Sequence, residues 1–147
     1  MMRYFDSAFL AKCYLPEPGY QTIVACASEA GRIASSWFSR AEVAAVFHRK
    51  LREGSLSATE HREVLAQFRQ DCRDGIWHFL PVSMEILEAV ESAFAQLPPS
   101  VFVRSADCLH LVTAREAGFR EICSNDRHLL AAAPYFKLKG LDLTAGN

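Results

Sequence analysis

Short apolar runs that break straight into helical spacing recur along this chain, and that alternation limits the fold more than any other feature. Residues 3–6 read as a strand and 7–15 as a helix. Residues 32–36 read as a second strand before a helix over 40–52, and 76–82 as a third before a helix over 83–96. Residues 121–124 read as a fourth strand before a short helix over 126–133. A further helix over 20–30 is closed by Gly31. Another opens at Ser57 with the capping box Ser57-x-x-Glu60, runs to about Arg73, and pairs with the 40–52 helix somewhat apart from the sheet. Residues 105–117 are apolar nearly all round, which predicts a central, covered helix. An edge strand is expected at 136–138 or 141–143, with a loose tail after it. The pattern predicts one domain over residues 1–147, a three-layer α/β/α sandwich on a central parallel sheet of four to five strands.

Composition removes several function classes. Half the residues are hydrophobic and 22% charged, which suits a globule and not a disordered chain. No apolar run reaches the length of a bilayer span, and the first residues lack a basic start followed by an apolar block. The expectation is a cytoplasmic protein without a membrane partner. Cys13, Cys26, Cys72, Cys108 and Cys123 are odd in number and lack a Cys-x-x-Cys pair, so neither a disulfide framework nor a zinc site is expected. Neither GxGxxG nor a P-loop occurs, which leaves dinucleotide and Walker-type nucleotide binding without support.

Four carboxylates stand out by position. Asp6 ends the first strand, and Glu42, Asp107 and Asp126 each follow an apolar or extended stretch near a helix start. Each also has a local role open to it: Asp6 and Asp126 as helix caps, Glu42 in the box Ser39-Arg40-Ala41-Glu42, and Asp107 favoured by the helix dipole. Glu42 shares a helical face with Val46, however, and Asp107 with Leu111, so both point toward the body of the fold. In an open α/β sheet, sites form beyond the carboxyl ends of the strands, where all four acids fall. Carboxylates gathered there need a cation, and oxygen-only donors select Mg²⁺ or Mn²⁺. The implied chemistry is metal-assisted phosphodiester hydrolysis. Ser7, Ser124 and Asn125 are placed to orient water or a phosphate oxygen, and Arg104 to reach a phosphate. Net charge is −1, but neutralising four acids leaves the remainder positive by three, so a polyanionic substrate is compatible. His48, His61, His78, His110 and His128 show no paired metal spacing; His110 shares a broad face with Asp107 and reads as a packed helix residue. Arg40, His48, Arg49, Lys50 and Arg52 form a basic cluster that is either a solvated face or an RNA contact. Trp37, Phe38 and Phe47 near it are core or line a partner groove.

Tyr4-Phe5-Asp6-Ser7-Ala8, followed by Lys12-x-Tyr14-x-x-Glu17-Pro18-Gly19, resembles the start of PIN-domain ribonucleases, specifically VapC-type toxins of toxin–antitoxin pairs. Ser39-x-x-Glu42 fits the family's second acidic motif, Arg104-Ser105-Ala106-Asp107-Cys108-Leu109-His110-Leu111 the third, and Ser124-Asn125-Asp126 the fourth. Cys108 departs from the more usual alanine. The resemblance implies a Mg²⁺- or Mn²⁺-dependent endoribonuclease with Asp6, Glu42, Asp107 and Asp126 as metal-binding and catalytic residues and Ser124 beside them. It also implies a homodimer and inhibition by a small VapB-like antitoxin. Two alternatives stand beside it. One is a PIN-like module that binds without turnover. The other is a phosphotransfer or phosphatase domain, disfavoured because Ala8 stands where such folds want a second acid.

Overall fold

The computed structural model describes residues 2–144; residues 145–147 of the expected tail lie outside them. Among the described residues five short parallel strands carry the fold: β1 (Met2–Tyr4), β2 (Arg32–Ser36), β3 (Trp77–Leu80), β4 (Glu121–Cys123) and β5 (Lys139–Leu141). β2 lies between β1 and β3, with Met2 opposite Arg32 and Ile33 opposite Trp77. β4 pairs with β5, Glu121 opposite Lys139. The two ladders join where Phe5 bridges Cys123 and the Asp6 amide donates to the Cys123 carbonyl at 3.1 Å. The resulting order is β3-β2-β1-β4-β5. The chain winds outward from β1 and then returns to its other side, which makes the β1/β4 crevice a topological switch point.

The helices are α1 (Ser7–Lys12), α2 (Tyr20–Ala30), α3 (Ser39–Arg52), α4 (Ala58–Arg73), α5 (Met84–Gln96), α6 (Ser105–Glu116) and α7 (Arg127–Ala132), followed by a 3-10 turn (Ala133–Phe136). Successive residues of a strand point to opposite faces, and the core divides accordingly. Phe5, Ile33, Trp77 and Cys123 join one buried cluster with Phe9, Leu10, Val43, Phe47 and Phe68 of α1, α3 and α4. Tyr4, Ala34 and Ile122 join the other with Cys108, Leu111 and Val112 of α6 and Leu129 of α7. The expected three layers follow from this alternation. α6 is buried without a break from Cys108 to Ala114, as its sequence predicts. The Ser57–Glu60 capping box forms in both directions.

Several expectations are corrected. α1 stops at Lys12 because the Cys13 and Tyr14 amides fold back on Leu10 and Ala11, three residues earlier, ahead of Pro16. The Tyr14 hydroxyl donates to Asp71 at 2.6 Å and accepts from the Trp77 indole at 2.7 Å, which ties the end of α1 to α4 and β3. α3 does not stand apart, since it packs on α1 and β2 and carries α4 on its outer side. The last strand forms between the two expected places, at Lys139–Leu141, and meets the second only at Leu141. Phe136 and Leu138 are drawn into the core, Lys137 takes a left-handed φ of 59° between them, and pairing begins only at Lys139. A Cβ at Gly140 would lie 2.7 Å from Leu130, so glycine lets α7 close over β5. All five cysteines are free thiols. No helix among the described residues is long and apolar enough to cross a membrane.

Candidate active site

Beyond the carboxyl ends of β1 and β4 the chain places its most deeply buried acid. Asp6 is 3% exposed. One carboxylate oxygen caps α1 by accepting the Phe9 amide at 3.0 Å, and the other accepts the Ser124 hydroxyl at 2.5 Å. Ser124 in turn accepts the Asp126 amide at 3.0 Å, so the ends of the two strands are locked together through one serine. Burial pushes the Asp6 carboxyl up to about 6. His110, Ser124 and the Phe9 amide pull the other way, and the neighbouring Asp107 adds to the rise.

Asp107 lies in the first turn of α6, and no protein donor reaches it among the described residues. Its carboxyl is also raised, first by burial and then by the charges of Asp126 and Glu42, with His110 and Arg104 in partial opposition. Asp126 caps α7 with one oxygen, which accepts the His128 and Leu129 amides at 2.8 and 3.0 Å. The local roles open to Asp6 and Asp126 are thus filled, and each is filled by only part of the carboxylate.

The capping box expected at Ser39 does not form. α3 begins at Ser39 itself, with Phe38 as the cap residue and no side-chain capping bond. The Ser39 hydroxyl is instead buried against that of Ser35 at 2.7 Å, and Ser35 donates to the Phe5 carbonyl at 2.7 Å. Glu42 is therefore free to face inward, where its Oε1 meets Nε2 of His110 at 2.8 Å. The other ring nitrogen, Nδ1, meets the Tyr4 hydroxyl at 2.8 Å. A ring carrying its proton on Nε2 satisfies both contacts: the tyrosine donates to Nδ1 and the imidazole donates to Glu42. His110 thus does more than the packing its sequence context suggests. The signal available was a histidine one helical turn past Asp107 in an otherwise apolar helix.

The remaining candidates divide. Ser124 is built into the site. Arg104 is exposed at the head of α6, close enough to oppose the rise at Asp107. Ser7 is half-buried at the first position of α1. Asn125 is exposed and faces a groove between α1 and α3. Among the described residues, no three His, Cys, Asp or Glu side chains are set around one ion position. Asp6 and Glu42 commit oxygens to Ser124 and His110, so the acids form an open donor set and not a closed cage. Such a set suits Mg²⁺, which keeps several waters and takes only one or two carboxylates from its protein. Two carboxyls raised by burial and by neighbouring acids, Asp6 by Asp107 and Asp107 by Asp126 and Glu42, mark where a cation would relieve the most repulsion.

A family model described as PIN domain matches residues 3–134. No curated protein matches in sequence. Among solved structures, FitAcB from Neisseria gonorrhoeae superposes with a TM-score of 0.74 at 14% identity, covering 99% of each chain. VapC20 of Mycobacterium tuberculosis, described as a sarcin-ricin loop cleaving toxin, gives 0.69 at 14% identity, covering 90% of this chain and 95% of that one. VapBC2 from Rickettsia felis, solved on a DNA fragment from its promoter, gives 0.67 at 13% identity, covering 97% of this chain and 100% of that one.

Proposed function

The chain belongs to the PIN domain family, and from that premise we propose that it is a Mg²⁺- or Mn²⁺-dependent endoribonuclease acting as the toxin of a toxin–antitoxin pair. The observation that carries the reading is the placement at the β1/β4 switch point of Asp107 close enough to Asp6, Asp126 and Glu42 for their charges to repel. A fold shared with a toxin that cuts the sarcin-ricin loop supports it.

In this reading Asp6 and Asp107 are the principal ligands, and Glu42 and Asp126 act on the ion through the waters it keeps. A divalent cation held there would supply activation of water and charge neutralisation at the scissile phosphate. The protein's own part is orientation. Ser124 fixes the Asp6 carboxylate in one rotamer, and His110 does the same for Glu42 from the opposite side. Arg104, on the rim, meets an incoming phosphate oxygen. Ser7 and Asn125 border the entry to the site. The test is cleavage of structured RNA by purified protein, with end mapping of the products. Cutting is expected with Mg²⁺ or Mn²⁺ and is expected to stop in EDTA; undiminished cutting in EDTA would reject the mechanism. Growth arrest on expression alone, relieved by the product of a small adjacent reading frame, would establish the VapB-like partner.

The reading extends to a homodimer. α5 has no buried residue. Its Ile86 and Val90 pack on the core while Met84, Leu87 and Phe94 face outward, at 67%, 45% and 44% exposure. A second copy is the occupant we assign to that face. Leu87→Glu is expected to halve the mass measured by light scattering, and a wild-type protein that already runs as a monomer would remove the assignment.

A further inference from the structure

A groove of about 240 Å³ runs between α1 and α3, and the proposed nuclease chemistry makes no use of it. Its near end is bordered by Ala8, two residues past Asp6, and by Asn125, which separates Ser124 from Asp126. Its far end is lined by Lys12, Glu17, Arg49 and Lys50. The sequence explains the shape. Ala8 and Lys12 lie four apart on one face of α1, and Glu42, Val46 and Lys50 lie four apart on one face of α3. That face of α3 therefore carries an acid at one end and a cation at the other, and Lys12 lines the groove from α1. Alanine at position 8 keeps the passage between the two helices open.

The cations are built in. Glu17, in the Pro16-Glu17-Pro18-Gly19 turn, takes Lys50 at 2.7 Å and Lys12 at 3.4 Å on its two oxygens. Both lysine side chains are mostly covered, at 21% and 17% exposure. Each ammonium has three donors, and the glutamate uses one of them. Arg49 extends from the lip and is more loosely held by Glu53 at 3.8 Å. Three cations against two carboxylates, Glu17 and the looser Glu53, leave the groove positive. With a rise of 1.5 Å per residue, Lys12 stands about 9 Å beyond Asp6 and Lys50 about 12 Å beyond Glu42. That is too far to touch a phosphate under attack at the acids, and within reach of another phosphate on the same strand.

Resting on the ribonuclease reading, we propose that this groove binds a backbone phosphate neighbouring the one that is cut. Lys12, Lys50 and Arg49 contact it, and Glu17 serves as the brace that holds the two lysines in place. The site recognises the strand's charge and not its bases, so it sets affinity and register without choosing the sequence.

The test uses full-length protein and a fluorescein-labelled random 20-nucleotide RNA, with binding read by anisotropy across a salt series in the Asp6→Asn background to prevent cleavage. Each phosphate contact on a single strand contributes a slope of about −0.7 in log K against log salt. Adding Lys12→Met and Lys50→Met is expected to flatten that slope by about 1.4, and Lys12→Arg with Lys50→Arg to restore it. Arg49→Gln, on the exposed lip and outside the Glu17 brace, is expected to flatten it by about 0.7 even if the double methionine variant folds poorly. With Asp6 intact, the methionine variants should raise KM for RNA and change kcat by less than about threefold. A slope unmoved by any of these substitutions would overturn the phosphate site, and so would a groove that instead takes an acidic protein segment. Cation-dependent cleavage would still stand in that case, so the two readings fail separately.

Discussion

Asp6→Asn is expected to lower RNA cleavage by roughly 10³-fold or more, the scale of losing a principal electrostatic element of a site, while making the metal-free protein more stable. The two effects share one cause. Asparagine keeps the cap on α1, because its carbonyl accepts the Phe9 amide as the carboxylate does at 3.0 Å, and Asn and Asp are equivalent caps. Its amide reaches Ser124, whose oxygen has a second lone pair to accept it. What disappears is the negative charge, together with the oxygen that accepts the buried Ser124 hydroxyl, a loss that offsets part of the gain. Burial, reinforced by Asp107, raises the Asp6 carboxyl from 3.8 to about 6. A carboxyl raised on folding adds stability at low pH and loses that contribution as pH rises through its folded value. At pH 8 without metal, the ionised Asp6 therefore costs the fold up to about 3 kcal/mol. The variant should melt higher than the parent at pH 8 in EDTA, by up to about 6–12 °C. The gap should narrow as pH falls through 6 and close near pH 4, where the parent's carboxyl is neutral. Millimolar Mg²⁺ should restore much of the parent's deficit and leave the variant almost unmoved. Calorimetry across pH, with and without the ion, decides the matter. A variant that melts at or below the parent at pH 8 would show that Asp6 is a structural cap and nothing more.

How far the sequence foretold this site depends on how local each residue's job is. The positions of Asp6 and Asp126 were legible because a strand end followed by a helix start is written in adjacent residues. The second helix and the second strand were legible for the same reason, the former closed by Gly31, which adopts a φ of 80°. Glu42 was harder. Ser39-x-x-Glu42 has the letters of a capping box, yet Ser39 is fully buried against Ser35 and the box never forms. The competing partner, a serine four residues earlier on β2, displaces the helix terminus only once the strand and helix are packed. His110 was harder still. Its two partners lie 106 and 68 residues away in sequence, and no spacing rule reaches that far. The edge strand was only partly legible for a related reason. Its register is decided by which of Phe136, Leu138 and Leu141 the core accepts, and by a non-glycine residue in left-handed geometry at Lys137, and neither is a local property.

His110→Leu is the substitution that separates a packed histidine from a working one. His110 is 1% exposed and bonded at both ring nitrogens. Leucine fills much of the space but removes the 2.8 Å contact of the buried Tyr4 hydroxyl with the ring and lets Glu42 swing. Loss of stability of about 2–3 kcal/mol is expected from the lost hydrogen bonds, read as a lower urea midpoint. Adding Tyr4→Phe should cost less in the His110→Leu background than in the parent, a coupling of about 1–2 kcal/mol, because the hydroxyl it removes has already lost its bond to the ring. A purely structural role predicts these stability effects and stops there. The site geometry predicts more. Glu42 loses the donor that aims it, so cleavage by fully folded protein should fall about 10–100-fold, the range for groups that support a metal site from outside its ligands, and Mn²⁺ affinity measured by calorimetry should weaken alongside it. His110→Gln keeps an N–H toward Glu42 at similar reach. It should recover most of the cleavage and the Mn²⁺ affinity while recovering little of the contact with Tyr4. If leucine and glutamine variants cleave alike once corrected for the folded fraction, His110 is packing and Glu42 needs no guide.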